Sequence, residues 1–136
     1  MAWVVDTCLL IDVNENDPVF GAASLALLKA KRAAGLCVSP VTMVDLGPVF
    51  LGRIELAEQF LATLGIESRQ FWRQADTVAA CQTWADFVRR KRLQQLRRRP
   101  VADSLIGAFA LRFDGLLTRN TSDFRSILPT LNLLSP

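Results

Sequence analysis

Along the whole chain, apolar runs of three or four residues give way repeatedly to longer stretches with helical spacing, and an aspartate stands at or near four of the hand-overs. Runs that short and that apolar suit strands buried on both faces of a sheet, a condition met when helices cover both sides. The strand candidates are Trp3-Val4-Val5, Leu36-Cys37-Val38, Gly65-Ile66-Glu67, Leu116-Leu117-Thr118 and an edge run at Leu131-Asn132-Leu133-Leu134. Alternation of strand and helix predicts an α/β fold around a mostly parallel sheet of four to five strands. Right-handed crossovers then place the C-terminal strand ends on one edge.

The helices announce themselves by their ends. Asp17-Pro18 is a cap followed by a proline at the first helical position, and Phe20, Ala23, Leu27, Ala30 and Ala34 follow at helical spacing until Gly35. Ser39-Pro40 opens a second helix by the same logic, carrying Met43, Asp45 and Leu46 before Gly47-Pro48 disturbs it. Residues 54–64 read as helical, and from Phe71 to about Leu96 runs a long amphipathic pattern. Its inward set is Trp72, Ala75, Ala79, Trp84, Phe87 and Val88, with the arginines outward. Both tryptophans are expected in the core rather than stacking bases. Pro100 to Asp103 opens a helix with a small-residue surface at Gly107, Ala108 and Ala110, and Asn120-Thr121-Ser122-Asp123 opens a short last one. With no repeat, low-complexity tract or linker, residues 1–136 are expected to form a single domain.

Composition narrows the chemistry. The chain has no histidine, so imidazole-based triads, Cys-His pairs and histidine-pair ribonucleases are excluded, and mixed Cys/His zinc sites are disfavoured. Cys8, Cys37 and Cys81 are odd in number and set in apolar surroundings, which predicts buried, reduced thiols. The opening Met-Ala-Trp-Val-Val-Asp has no basic leader, and Asp6 and Asp12 interrupt its apolar stretch. Neither a signal peptide nor a membrane span is expected, and the location is read as cytoplasmic. Net charge is +3, but its distribution says more: Arg89, Arg90, Lys91, Arg92, Arg97, Arg98 and Arg99 crowd one stretch while the acids are scattered. That stripe is either a footprint for a phosphate backbone or a solvated helix face.

The four hand-over acids are Asp6, Asp45, Asp103 and Asp123. Three have structural explanations: Asp6 as an N-cap, Asp103 as a first-turn residue answering the helix dipole, and Asp123 as a capping-box residue after Asn120. Asp45 interrupts an apolar stretch and resists such a reading. If all four converge on one sheet edge, each pair about 5 Å apart repels by roughly 3 kcal/mol at an effective dielectric of about 20. Convergence would therefore call for a divalent cation, and oxygen-only ligands suit Mg²⁺ or Mn²⁺. One or two such ions would polarise a phosphodiester and acidify a water, so that no side-chain base is needed.

Four segments together resemble the PIN domain, and more narrowly the VapC-type toxins of bacterial toxin–antitoxin pairs. They are Val-Val-Asp-Thr-Cys-Leu-Leu-Ile-Asp at 4–12, Ser-Pro-Val-Thr-Met-Val-Asp-Leu at 39–46, Val-Ala-Asp-Ser-Leu-Ile-Gly-Ala-Phe-Ala-Leu at 101–111 and Leu-Leu-Thr-Arg-Asn-Thr-Ser-Asp-Phe at 116–124. The resemblance spans nearly the whole chain in the right order. It implies a PIN-like three-layer α/β/α fold and a Mg²⁺- or Mn²⁺-dependent endoribonuclease acting as a toxin. It also implies a cognate VapB-type antitoxin, an RNA substrate and a homodimer. By motif position Asp6, Asp103 and Asp123 would be metal-site acids, and Asp45 would stand where the family usually has glutamate. Thr7, Thr118 and Asn120 would support the site or contact phosphate, and Arg89, Arg90, Arg92, Arg97, Arg98 and Arg99 would bind RNA. Asp12 is assigned to helix structure. The shortened side chain at Asp45 is a departure that opens an alternative: a catalytically weak or inactive PIN-like module that binds nucleic acid or a protein partner. A phospho-acceptor receiver domain shares an acidic pocket but needs a lysine after the last strands, and beyond Lys91 this chain has none.

Overall fold

In the computed structural model, which describes residues 2–91 and 101–136, the five short apolar runs form one sheet. Its strands are β1 (Trp3–Val5), β2 (Leu36–Cys37), β3 (Ile66–Glu67), β4 (Gly115–Leu117) and β5 (Leu133–Leu134), in the order β3-β2-β1-β4-β5 and parallel at every pairing. The helices are α1 (Thr7–Asn14), α2 (Gly21–Lys31), α3 (Pro40–Asp45), α4 (Ile54–Thr63), α5 (Gln74–Lys91), α6 (Val101–Ala110) and α7 (Thr121–Ile127).

Strand side chains alternate between faces, so neighbouring residues serve opposite cores. Val4, Cys37 and Leu116 pack with Phe87, Ile106, Phe109, Phe124 and Ile127 from α5, α6 and α7. Val5, Leu36 and Leu117 pack with Leu9, Leu10, Leu28 and Leu61 from α1, α2 and α4. The result is the three-layer α/β/α arrangement with a parallel sheet that the sequence implies. The strand order reverses at β1, which lies between β2 and β4. The chain leaving β1 and β4 therefore enters the crevice where open α/β sheets hold their ligands. Asp6 and Thr118 are the first residues past those two strands.

Several details depart from the sequence reading. Helix α2 starts at Gly21 rather than after Pro18, because Asp17 caps a turn instead, accepting the amides of Val19 and Phe20 at 2.8 Å each. Its buried stripe is Gly21, Ser24 and Leu28, not Phe20, Ala23 and Leu27. The rotation follows from α1: a Cβ at Gly21 would sit 3.2 Å from the Asp12 carbonyl, and Ser24 turns inward to donate to the Asp12 carboxylate at 3.0 Å. On α5, Ala75 and Val88 face outward and Asp76 and Thr83 face in. Trp72 and Trp84 do pack against the core, Trp72 stacking on Phe109 with ring centres 6.1 Å apart. The thiols of Cys8, Cys37 and Cys81 are free as expected, but Cys81 is exposed. No described helix is long and apolar enough to cross a membrane.

Candidate functional site

Asp6 is only 4% exposed and is the N-cap of α1, its extended backbone letting the carboxylate fold back onto the helix. Oδ1 accepts the Thr7 amide at 2.8 Å; Oδ2 accepts the Thr118 hydroxyl at 2.7 Å and the Cys8 thiol at 3.4 Å. The Asn120 amide in turn donates to the Thr118 oxygen at 3.0 Å, which leaves the hydroxyl hydrogen directed at Asp6. Thr7, Thr118 and Asn120 thus gather around Asp6 as the sequence grouped them.

Asp45 approaches from α3. The Thr7 hydroxyl donates to its Oδ2 at 3.1 Å and lies 3.2 Å from the buried Thr42 hydroxyl. Thr42 is fixed by Ser39, whose oxygen caps α3 by accepting the Thr42 amide at 3.2 Å. One threonine therefore bridges the helix that starts at Asp6 to the helix that ends at Asp45. Burial pushes the Asp6 carboxyl above its ordinary range, the Thr118, Cys8 and Thr7 hydrogen bonds oppose the rise, and the charge of Asp45 adds to it. The same burial, with Asp6 alongside, pushes the Cys8 thiol up to about 12, so Cys8 stays protonated and serves as a donor.

The full four-acid cup expected from the sequence is not assembled. Asp103 lies half-buried in the first turn of α6, and Asp123 is exposed in the first turn of α7. Among the described residues no group of three or more Asp, Glu, Cys or His side chains lies close enough to hold a metal ion. Asp45 and Asp123 are exposed and keep their carboxylates in water, where a charge is stabilised. The Asp6 and Asp45 pair nonetheless suits a hard cation. Its donors are oxygen, Asp45 is open to solvent, and Mg²⁺ is commonly held by one or two carboxylates with water completing the shell. Asn120 does not cap α7 with its side chain, so the capping-box reading of Asp123 fails on its first residue.

Of the arginine stripe, Arg89 and Arg90 are exposed near the end of α5. Arg89 pairs with Asp86 at 2.8 Å, and Arg90 reaches the Ile127 carbonyl at 3.4 Å. Arg92, Arg97, Arg98 and Arg99 lie outside the described residues.

Two features were missed. Asp12 is more than a helix residue: it is buried and clasped by Arg119, with Nε to Oδ2 at 2.6 Å and Nη2 to Oδ1 at 3.0 Å. Its signal was an acid in the apolar first helix, for which burial demands a partner. The second is an apolar groove of about 530 Å³ beside α3, lined by Met43, Val44, Leu46, Phe50, Ile54 and Ala57 among others. Around it Val44 is 76%, Leu51 86% and Ile54 59% exposed. The apolar letters at 49–56 were legible, but not that they stay uncovered.

No protein-family model and no curated protein matches the sequence. Among solved structures the fold is similar to a chain of VapBC2 from Rickettsia felis, crystallised bound to a DNA fragment from their promoter. The TM-score is 0.63 at 17% identity, over 99% of this chain and 98% of that one. At that identity the likeness is one of fold. It agrees with a PIN-like architecture, the class the sequence resemblance implied.

Proposed function

We propose that this chain is a PIN-like module that binds a protein partner, in the manner of a toxin held by its antitoxin, through the groove beside α3. The observation that carries the reading is the groove with its exposed rim of Val44, Leu51 and Ile54. Large apolar side chains clustered on one exposed surface mark an interaction site. Leu51 also has a positive φ of 56°, unfavourable for a branched side chain, and Gly52 follows at 76°. The loop thus holds Leu51 outward against its own backbone preference. Support also comes from the fold neighbour, whose structure is that of a VapBC2 complex on DNA. Because Asp45 is carried on α3, whose Met43 and Val44 line the groove, a bound partner lies beside the acidic pair. The test is binding to the product of the adjacent reading frame. Leu51→Asp and Ile54→Asp, both at exposed positions, weaken association by about tenfold or more if the groove is the interface. Unchanged affinity in both rejects it.

A second reading, a Mg²⁺- or Mn²⁺-dependent endoribonuclease, is favoured by one observation: two carboxylates share Thr7, and one of them is buried with its carboxyl pushed up. Asp6 and Asp45 would hold the ion, with Asp103 and Asp123 as further candidate acids. A bound ion supplies polarisation of a phosphodiester and acidification of a water. The chain's own part is to orient Asp6 through Thr7 and Thr118, to orient Asp45 through Thr7, and to shield Asp6 from bulk water. Millimolar Mn²⁺ raises the melting temperature of the wild type, because binding to the folded state alone shifts unfolding. It does so less for Asp6→Asn, which also loses RNA cleavage. A flat melting temperature together with full cleavage by Asp6→Asn rejects this reading and leaves the binding module.

A further inference from the structure

Two consecutive residues after β4 are fastened to three points on α1 and its N-cap. The Thr118 hydroxyl reaches Asp6 at 2.7 Å, the Arg119 backbone amide faces the Cys8 sulfur, and the Arg119 guanidinium takes both oxygens of Asp12. Asp6 and Asp12 are six residues apart, about 9 Å along the helix axis. Thr118 and the Arg119 side chain thus bridge from the N-cap of α1 to its sixth residue.

The outer pin is itself braced. Asp12 is buried and receives the Ser24 hydroxyl at 3.0 Å from α2, and the Arg119 guanidinium sits 4.0 Å from the centre of the Phe20 ring. A bidentate arginine–carboxylate pair is directional as well as strong: the planar fork fixes where the guanidinium lies against Asp12. With its tip held, Arg119 has fewer backbone positions open to it, and the peptide planes on either side are restrained. Those planes carry the Thr118 side chain and the Asn120 amide, which together aim the hydroxyl hydrogen at Asp6.

We propose that Arg119, clamped by Asp12 and Phe20, is a positioning residue that holds the Thr118 hydroxyl on Asp6. The proposal deepens the metal-site reading and rests on it for its functional consequence, though the positioning itself is measurable without any metal. A merely structural ion pair would tie α7's approach to α1 and α2 without selecting one hydroxyl.

Amide hydrogen exchange separates the two. The Thr118 amide is bonded to the Leu134 carbonyl at 3.0 Å in the sheet, whereas the Asn120 amide depends on the Thr118 side-chain oxygen. In Asp12→Asn and Arg119→Lys the Asn120 amide is expected to exchange about tenfold faster, as local opening becomes easier, while the Thr118 amide keeps its protection. Phe20→Ala, at a half-exposed position, gives a smaller change in the same direction and covers the case in which the ion-pair variants fold poorly. Mn²⁺ titration by calorimetry supplies the functional arm. Asp12→Asn is expected to weaken uptake by about tenfold, as loss of a residue supporting a ligand does. Adding Thr118→Val to Asp12→Asn then weakens it no further. Unchanged exchange at Asn120 in all three variants overturns the proposal, as does equal loss of protection at Asn120 and Thr118. Should the wild type take up no Mn²⁺, the metal reading fails by itself and Asn120 exchange still decides the positioning.

Discussion

Two buried carboxylates in different parts of the fold have been handled in opposite ways. Asp76, 1% exposed at the start of α5, is answered by a full charge: Arg112 from the end of α6 bonds its two oxygens at 2.7 and 2.9 Å. The Arg73 amide adds a third bond at 2.9 Å, and the guanidinium rests against the rings of Phe109 and Phe113. Asp6 is nearly as buried, yet among the described residues its partners are a hydroxyl, an amide and a thiol, and the charge that acts on it is another carboxylate, Asp45. Burial raises both carboxyls; at Asp76 the Arg112 and Arg73 bonds outweigh it and the carboxyl falls below its ordinary range, whereas at Asp6 it rises. The difference separates a carboxylate that holds the fold together from one that the fold tolerates. A buried carboxyl whose proton is held more tightly by burial and by a neighbouring carboxylate, at the edge where ligands bind, is a candidate for function with a stated physical reason.

The sharpest way to break this comparison is at Asp76. Asp76→Ala leaves the Arg112 guanidinium between aromatic rings with, among the described residues, the Phe71 carbonyl as its remaining hydrogen-bond partner at 3.2 Å. Loss of one member of a buried pair destabilises by about 3–5 kcal/mol, to be read from the denaturant midpoint. The pH dependence follows from the sign of the shift. A carboxyl held below its ordinary 3.8 contributes stability that is present above that value and is lost as pH falls through the folded one. The wild type therefore loses stability in strong acid more steeply than Asp76→Ala. A variant as stable as wild type at neutral pH would remove the contrast, since Asp76 would then be no more structural than Asp6.

How far these two sites could be read in the sequence differs as well. The fold was legible because short apolar runs and proline-marked helix starts are local signals, and five parallel strands appear where five were marked. Asp6, Thr7 and Thr118 were legible as a group because each falls at the end of a strand on the same edge. The pairing of Asp76 with Arg112 was not, since the two are 36 positions apart and nothing local distinguishes either from a surface charge. The same holds for Asp12 and Arg119, which rotate the buried stripe of α2 by one residue and so override a hydrophobic periodicity that was read correctly as letters. What sequence spacing could not decide is how near Asp103 and Asp123 come to Asp6. Both sit in the first turn of their helices, but the depth to which each first turn enters the crevice depends on long-range packing.

A smaller effect tests the other half of the comparison. Asp6→Asn keeps the shape of the side chain and removes the charge. Its amide oxygen can still accept the Thr7 amide, and its nitrogen can donate to the Thr118 oxygen, whose second lone pair is available beside the Asn120 bond. Because the folded state holds the Asp6 carboxyl above its ordinary 3.8, folded protein binds the proton more tightly than unfolded chain does. Stability is thus lost as pH rises from 3.8 towards the raised folded value. Asp6→Asn escapes it. The variant should therefore have the higher melting temperature in metal-free buffer at pH 7. The advantage should vanish below pH 3.8, where the wild-type carboxyl is protonated in both states, and should shrink as Mn²⁺ is added at neutral pH, because a cation relieves the same repulsion. An Asp6→Asn protein less stable than wild type at pH 7 would mean that the ionised carboxylate is welcome where it stands, and Asp6 would join Asp76 as a residue of the scaffold.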